Sequence, residues 1–182
     1  MQWLNEPAEF TQESARITVR SAPQTDFWRV THDGGVRDSG HFYYERVRGD
    51  FTAEVKFSGE YRDLYDQAGL MLRADEKTWI KGGVEYTDEQ QNASVVVTRD
   101  FSDWSIVPLP GNPPALWLRV VRTGPTVEVS YSLDGAAYTM LRQAYFTDQP
   151  EVAVGLMIAS PIGDGFTAVF EGFTVAPVEG HG

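Results

Sequence analysis

The sequence contains no cysteine, which excludes disulfides, thiolate metal sites and cysteine nucleophiles. No apolar run approaches the length of a membrane span. Basic residues are scarce: 15 Lys and Arg stand against 26 Asp and Glu, for a formal net charge of −11. Such a chain repels phosphate backbones and anionic bilayers, and no basic cluster offsets this. Nucleic acid and membrane are therefore rejected as main partners. The first ten residues, MQWLNEPAEF, lack the basic start and apolar stretch of a secretory signal. With the missing cysteines, this makes the cytoplasm the expected location. No Gly-x-Ser-x-Gly context, phosphate loop or close His pair is found, and no stretch carries a helical apolar stripe.

What is present has a period of two. In DFTAEVKFSG, Phe51, Ala53, Val55 and Phe57 share one face, while Thr52, Glu54, Lys56 and Ser58 share the other. Leu116, Leu118 and Val120 repeat the pattern, as do Val127, Val129 and Tyr131, then Val152, Val154, Leu156 and Ile158, then Phe166, Ala168 and Phe170. Each run reads as a strand with one buried face. Turn formers separate the runs: Asp134-Gly135 signals a hairpin, Thr123-Gly124-Pro125 divides two strands, and Pro108 to Pro114 forms a rigid loop. Many short alternating strands at this spacing predict an all-β fold, a two-sheet antiparallel β-sandwich of the jelly-roll kind. The 182 residues suit a single domain, with a core over about residues 3–175 and a frayed tail over 176–182. The strand near Trp3 and the strand near Phe170 are expected to pair, since both carry core aromatics.

Several strands put unexpected residues on the face away from that core. In DLYDQAGLML, Ala68, Leu70 and Leu72 point inward and leave Gln67, Gly69, Met71 and Arg73 outward. In WIKGGVEY, Ile80, Val84 and Tyr86 take one side and Trp79, Lys81 and Glu85 the other. The opposite register would bury two unpaired charges in an apolar core, which is very costly. Upstream lie Trp28, His41 and Tyr43; downstream lie Asp103 and Trp104. Glycines at 69, 82, 83 and 155 fall inside strands, where glycine marks a bulge or a close approach. Aromatic faces beside amides and charges suit a carbohydrate, whose C–H faces stack and whose hydroxyls need polar partners. The reading is a concave-sheet groove lined by Trp28, His41, Tyr43, Gln67, Arg73, Trp79, Lys81, Glu85, Asp103 and Trp104.

The runs FWRVTHDGGVRDSGHFYY, YDQAGLMLR, WIKGGVEYTD, SVVVTRDFSDWS, LWLRVVR, YSLDG and VGLMIASP resemble, in that order, the family known as domain of unknown function 1349, or "regulation of enolase". The resemblance runs from Trp3 to about Val175. It implies a place in the concanavalin A-like lectin/glucanase superfamily, with a concave and a convex sheet. It marks Trp28, His41, Tyr43, Asp66, Gln67, Lys81, Glu85, Asp103 and Trp104 without assigning roles. Tyr138 departs from a position that relatives more often fill with Trp.

Three functions follow as alternatives, because a fold alone does not choose among them. The favoured one is carbohydrate binding without catalysis. The second is a glycosidase or polysaccharide lyase. The usual glucanase motif of alternating acids is absent, since Glu85 and Asp88 are three apart and point to opposite faces. Glu85 with Asp66 is the best cross-strand pair for hydrolysis. A lyase would draw on Lys81, with Tyr43 and Arg73; Lys81 lies about 13 Å along the strand from Glu85. The third is a protein-interaction module, since Trp, Tyr and Arg dominate interface energies. No cofactor is expected. Asp33, Asp38, Asp63 and Asp66 offer oxygens for a structural calcium, but ordinary turn roles are favoured for them.

Overall fold

The computed structural model describes residues 1–178. Every regular element among them is a strand, and sixteen are numbered here in chain order. The first sheet runs, edge to edge, β1 (Gln2–Leu4), β6 (His41–Arg48), β15 (Glu151–Ala159), β8 (Gln67–Arg73), β9 (Thr78–Thr87), β10 (Gln90–Arg99) and β11 (Phe101–Pro108). The second runs β14 (Thr139–Tyr145), β13 (Thr126–Ser132), β12 (Leu116–Thr123), β7 (Phe51–Gly59), β16 (Thr167–Pro177), β3 (Arg16–Arg20) and β2 (Glu9–Glu13). A separate hairpin joins β4 (Phe27–Arg29) to β5 (Val36–Asp38). All strand pairs are antiparallel. The fold is a two-sheet β-sandwich.

The apolar stripes of the sequence meet between the sheets. Phe51, Ala53, Val55 and Phe57 of β7 are buried with Leu116, Leu118 and Val120 of β12, against Leu70, Leu72, Ile80, Val84, Val154 and Leu156 from the facing sheet. Each large aliphatic or aromatic side chain so buried contributes about 1.5–3 kcal/mol. The Gly124-Pro125 turn joins β12 to β13 with Gly124 at φ 55°, a conformation open to glycine without strain.

Two expectations about the termini are corrected. The Trp3 strand does not pair with the last strand. Trp3 lies opposite Tyr43 in the first sheet, whereas Phe170 lies between Ile17 and Phe57 in the second. Both aromatics reach the same core from opposite sheets, so a shared core says nothing about a shared sheet. The chain does not fray at residue 176 either: Ala176 and Pro177 continue β16 opposite Thr52 and Phe51. Val178 follows just beyond the strand, and residues 179–182 of the expected tail lie outside the described residues.

A second apolar cluster sits on the outer face of the first sheet. Phe27 from the hairpin packs onto Phe42, Met71, Trp79, Val96, Ala153 and Met157. Gly40 makes room for it, since a Cβ there would stand 2.3 Å from the Phe27 ring. The part of the expected open groove around Trp79 is thus roofed.

Candidate functional site

Alternation along β9 places Trp79, Lys81, Gly83 and Glu85 in one outward row, as read from the sequence. Register then decides their neighbours. Gln67 of β8 and Asn92 of β10 flank Glu85, while Met71 and Val96 flank Lys81. Gly69 and Gly83 face each other so closely that a Cβ on either would lie 2.0 Å from a carbonyl oxygen of the adjacent strand. Only glycine fits both positions, so between Lys81 and Glu85 no side chain rises from β8 or β9, and Met157 and Ser94 on the adjacent strands flank the gap.

Lys81 is 4% exposed, and its ammonium has three partners for its three protons. It donates to Gln67 Oε1 at 2.6 Å and the Phe27 carbonyl at 2.7 Å, and meets Asp26 Oδ1 at 3.4 Å. Gln67 in turn donates to the Tyr65 carbonyl at 3.1 Å. Glu85 is 7% exposed. Its Oε2 accepts from Ser94 Oγ at 2.6 Å and from Trp104 Nε1 at 2.7 Å. To reach it the Trp104 indole, on the edge strand β11, crosses over β10. Among the described residues, Glu85 Oε1 has no protein partner. It opens onto a cleft of about 10 Å³ lined by Gln67, Lys81, Gly83, Glu85, Ser94 and Met157, room for roughly one water. Trp104, 43% exposed, stands at the rim. The Tyr65 ring meets it edge-on at 6.2 Å.

Burial pushes the Glu85 carboxyl above its ordinary value of 4.5; the Lys81 charge and the two hydrogen bonds oppose that shift. The arrangement thus holds one proton-exchanging carboxyl, an oriented amide and an aromatic wall.

The other expected lining residues fall elsewhere. Trp79 shares the row but is buried under Phe27, with ring centroids 6.3 Å apart. Trp28 roofs the same cluster and donates its indole N–H to the Thr31 carbonyl at 2.7 Å. Arg73 is on the outer face but is clamped by both oxygens of Asp38, at 2.6 and 2.8 Å. His41 is buried: its Nε2 accepts the Ala22 N–H at 2.9 Å, and Nδ1 lies 2.5 Å from the Asn5 carbonyl. Burial lowers its pKa. Tyr43 is turned to the inter-sheet core, stacked on Trp3 at 4.6 Å. Asp103 is one residue from Trp104 and so takes the opposite face, across from core-facing Val97.

The proposed carboxylate pair is not assembled. Tyr86, not Glu85, lies across from Asp66, so the two acids take opposite faces. Asp66 is fully buried, holding Ser160 Oγ at 2.6 Å and the backbone N–H groups of Arg62 and Asp63 at 3.1 and 3.0 Å. The lyase trio is dispersed too: Tyr43 faces the core and Arg73 is paired. Asp33 bonds Arg37 and Asp38 bonds Arg73, so the acids considered for calcium serve separate structures. Among the described residues no three His, Asp or Glu side chains cluster as a metal site.

Sequence reading missed Asp26, Tyr65 and Ser94. Ser94 left a signal, as a polar residue on the outward phase of ASVVVT. Tyr65 left none: it sits outside a strand at φ 69°. Asp26 is 55 residues from Lys81 in sequence.

Residues 3–178 match the family described as "Protein of unknown function (DUF1349)". The chain belongs to the DUF1349 family. It is 38% identical over 168 residues to "Regulation of enolase protein 1" of Saccharomyces cerevisiae, covering 92% of this chain and 85% of that protein. A crystal structure of a functionally unknown protein from Saccharomyces cerevisiae superposes with a TM-score of 0.95 at 36% identity, covering 98% of this chain and 97% of that one. The carbohydrate-binding module CBM66 of Bacillus subtilis superposes with a TM-score of 0.59 at 16% identity, covering 95% and 94%. The GH43 protein BlXynB of Bacillus licheniformis, as its K247S mutant, superposes with 0.71 at 15% identity, covering 94% of this chain but 35% of its own length. The last two likenesses are of fold alone. The DUF1349 chain thus shares a β-sandwich with carbohydrate-binding and glycosidase proteins.

Proposed function

We propose that this DUF1349 chain binds a carbohydrate at the Glu85 cleft and does not hydrolyse it. The observation that carries the reading is the free Oε1 of buried Glu85 beside the exposed Trp104 ring. A sugar hydroxyl donates to Oε1 while a C–H face packs on the indole, which combines an apolar wall with one placed acceptor. The narrow cleft takes a single hydroxyl or hydroxymethyl group, so the ligand lies along the rim between Trp104 and Tyr65. Most glycosidases need two carboxyl groups flanking the scissile bond, about 5–9.5 Å apart. With Asp66 on the other face and Lys81 between Glu85 and Asp26, the geometry favours binding over turnover.

The test is a thermal-shift screen against mono- and oligosaccharides, with product analysis in parallel. A saturable shift lost in Trp104→Ala and Glu85→Gln is expected. Release of sugar by the wild type would overturn the non-catalytic reading. A flat screen with intact folding would move the reading to a protein partner. The exposed Phe101, Trp104, Ile106 and Val107 on edge strand β11 favour that second reading, as does the name of the yeast relative.

A further inference from the structure

Four strands close the edges of the two large sheets, and three of them are guarded against pairing with another chain. β1 is only three residues long. β2, EFTQE, carries Glu9 and Glu13. β14 carries Arg142, and its register against β13 slips between Val129 and Ser130. β11 is different: long, regular and nearly uncharged. It runs for eight residues, FSDWSIVP, in unbroken register with β10. Its one charge is Asp103, and its one proline is the last residue.

The strand is also apolar on both faces. Ser102, Trp104 and Ile106 take the outer phase, across from Thr98, Val96 and Ser94. Phe101, Asp103, Ser105 and Val107 take the core phase, across from Arg99, Val97, Val95 and Ala93. Yet Phe101 is 58% exposed and Val107 43%. The underside of β11 is therefore uncovered at both ends, where the inner side of β10 is buried. A free edge offers a row of backbone donors and acceptors, and the group that satisfies them together is another strand.

The chain itself supplies a matching strand. Two copies of β11 pair antiparallel about a two-fold axis perpendicular to the sheet, and residues of like phase then meet. Charge separates the possible registers. With Asp103 on the axis, two carboxylates stand opposite each other, which is destabilising. With Ser102 or Ser105 on the axis, Asp103 faces Phe101 or Val107 and loses water to an apolar neighbour. Axes nearer either end pair fewer residues. With Trp104 on the axis, Phe101 meets Val107, Ser102 meets Ile106 and Asp103 meets Ser105, each twice by symmetry. That register joins the two exposed apolar residues of the underside, gives the carboxylate a hydroxyl and opposes no like charges. The Trp104 indole leans inward over β10 to Glu85, so it clears the seam. Both Glu85 clefts then face the same side of one joined sheet.

We propose that β11 is a self-association edge, through which two copies of this chain pair antiparallel with Trp104 on the two-fold axis.

The test is the mass of the full chain by analytical ultracentrifugation over a dilution series. Physiological ionic strength screens the repulsion of two acidic chains beyond about 8 Å. The wild type is expected at twice the mass of one chain at the concentrated end, falling to one chain on dilution. Val107→Lys gives β11 the guard it lacks and should sediment as one chain across the same series. Its exposed position leaves the fold intact, which circular dichroism checks. Oxidation reads the register. The chain has no cysteine, so Phe101→Cys combined with Val107→Cys introduces the only thiols. Six residues apart on one strand, they are about 20 Å from each other and cannot bridge within a chain. Across the seam each stands opposite the other, so the double variant should form a covalent dimer and neither single variant should. Dimer formation needs no sugar at Glu85 and its readout is mass, so the two proposals fail separately. A wild type of one-chain mass throughout, a dimer unchanged in Val107→Lys, or cross-linking no greater in the double variant than in the single ones overturns the assignment.

Discussion

A glutamate almost out of water beside a buried lysine is pulled two ways, and at Glu85 burial wins. The folded state then holds the Glu85 proton more tightly than the unfolded chain does. Glu85's contribution to stability is fully present below the ordinary carboxyl value of 4.5, falls as pH rises toward the raised folded value, and levels above it. Glu85→Gln keeps an oxygen for Ser94 and Trp104 but does not ionise. Its melting temperature relative to wild type should therefore rise with pH over that window, and pH-resolved thermal unfolding reads the difference directly. A gap that does not change with pH would refute the shift. Lys81→Met has the opposite character. It leaves Gln67, Asp26 and the Phe27 carbonyl without their donor and Glu85 without its cation, so a cost of about 3–5 kcal/mol is expected. Denaturant unfolding measures it, and part of the loss should return in the double variant with Glu85→Gln.

At the scale of elements, the site depends on strands that approach unusually closely. Gly69, Gly83 and Gly155 each leave room for a neighbouring carbonyl where a Cβ would intrude to 2.0 Å. The contact is with backbone, so no rotamer change relieves it. Gly83→Ala should cost at least the 1–3 kcal/mol typical of overpacking. It should also perturb the proposed sugar binding by lifting the floor between Lys81 and Glu85, which thermal unfolding and titration together resolve. Glycines at 69, 83 and 155 were legible as close approaches from their place inside alternating runs. The hairpin was not. Nothing in FWRVTHDGGVRD says that Phe27 folds over Trp79, because that contact joins segments about fifty residues apart.

For the whole molecule, the last strands complete both sheets. β15 inserts between β6 and β8, and β16 between β3 and β7. Removing the chain from Thr167 onward would expose two facing strand edges in the second sheet and strip Ala168 and Phe170 from the core. Such a truncation should show no cooperative unfolding transition and no dispersed amide spectrum. Loss of β1 removes only a three-residue edge strand, so a chain lacking it should fold with reduced stability.

The sequence by itself determined which side chains share a face. Period two is a property of the extended backbone, so WIKGGVEY had to put Trp79, Lys81 and Glu85 on one side, and the cost of burying charge chose which side faced the core. The same local rule carried the core stripes and the all-β class. Which strands become neighbours depends on pairing between distant segments, which no local pattern encodes. That pairing set Gln67 rather than Asp66 beside Glu85, and packing between distant segments drew Tyr65 to Trp104 and roofed part of the expected groove. It also left β11 as an edge strand with apolar residues exposed on both faces.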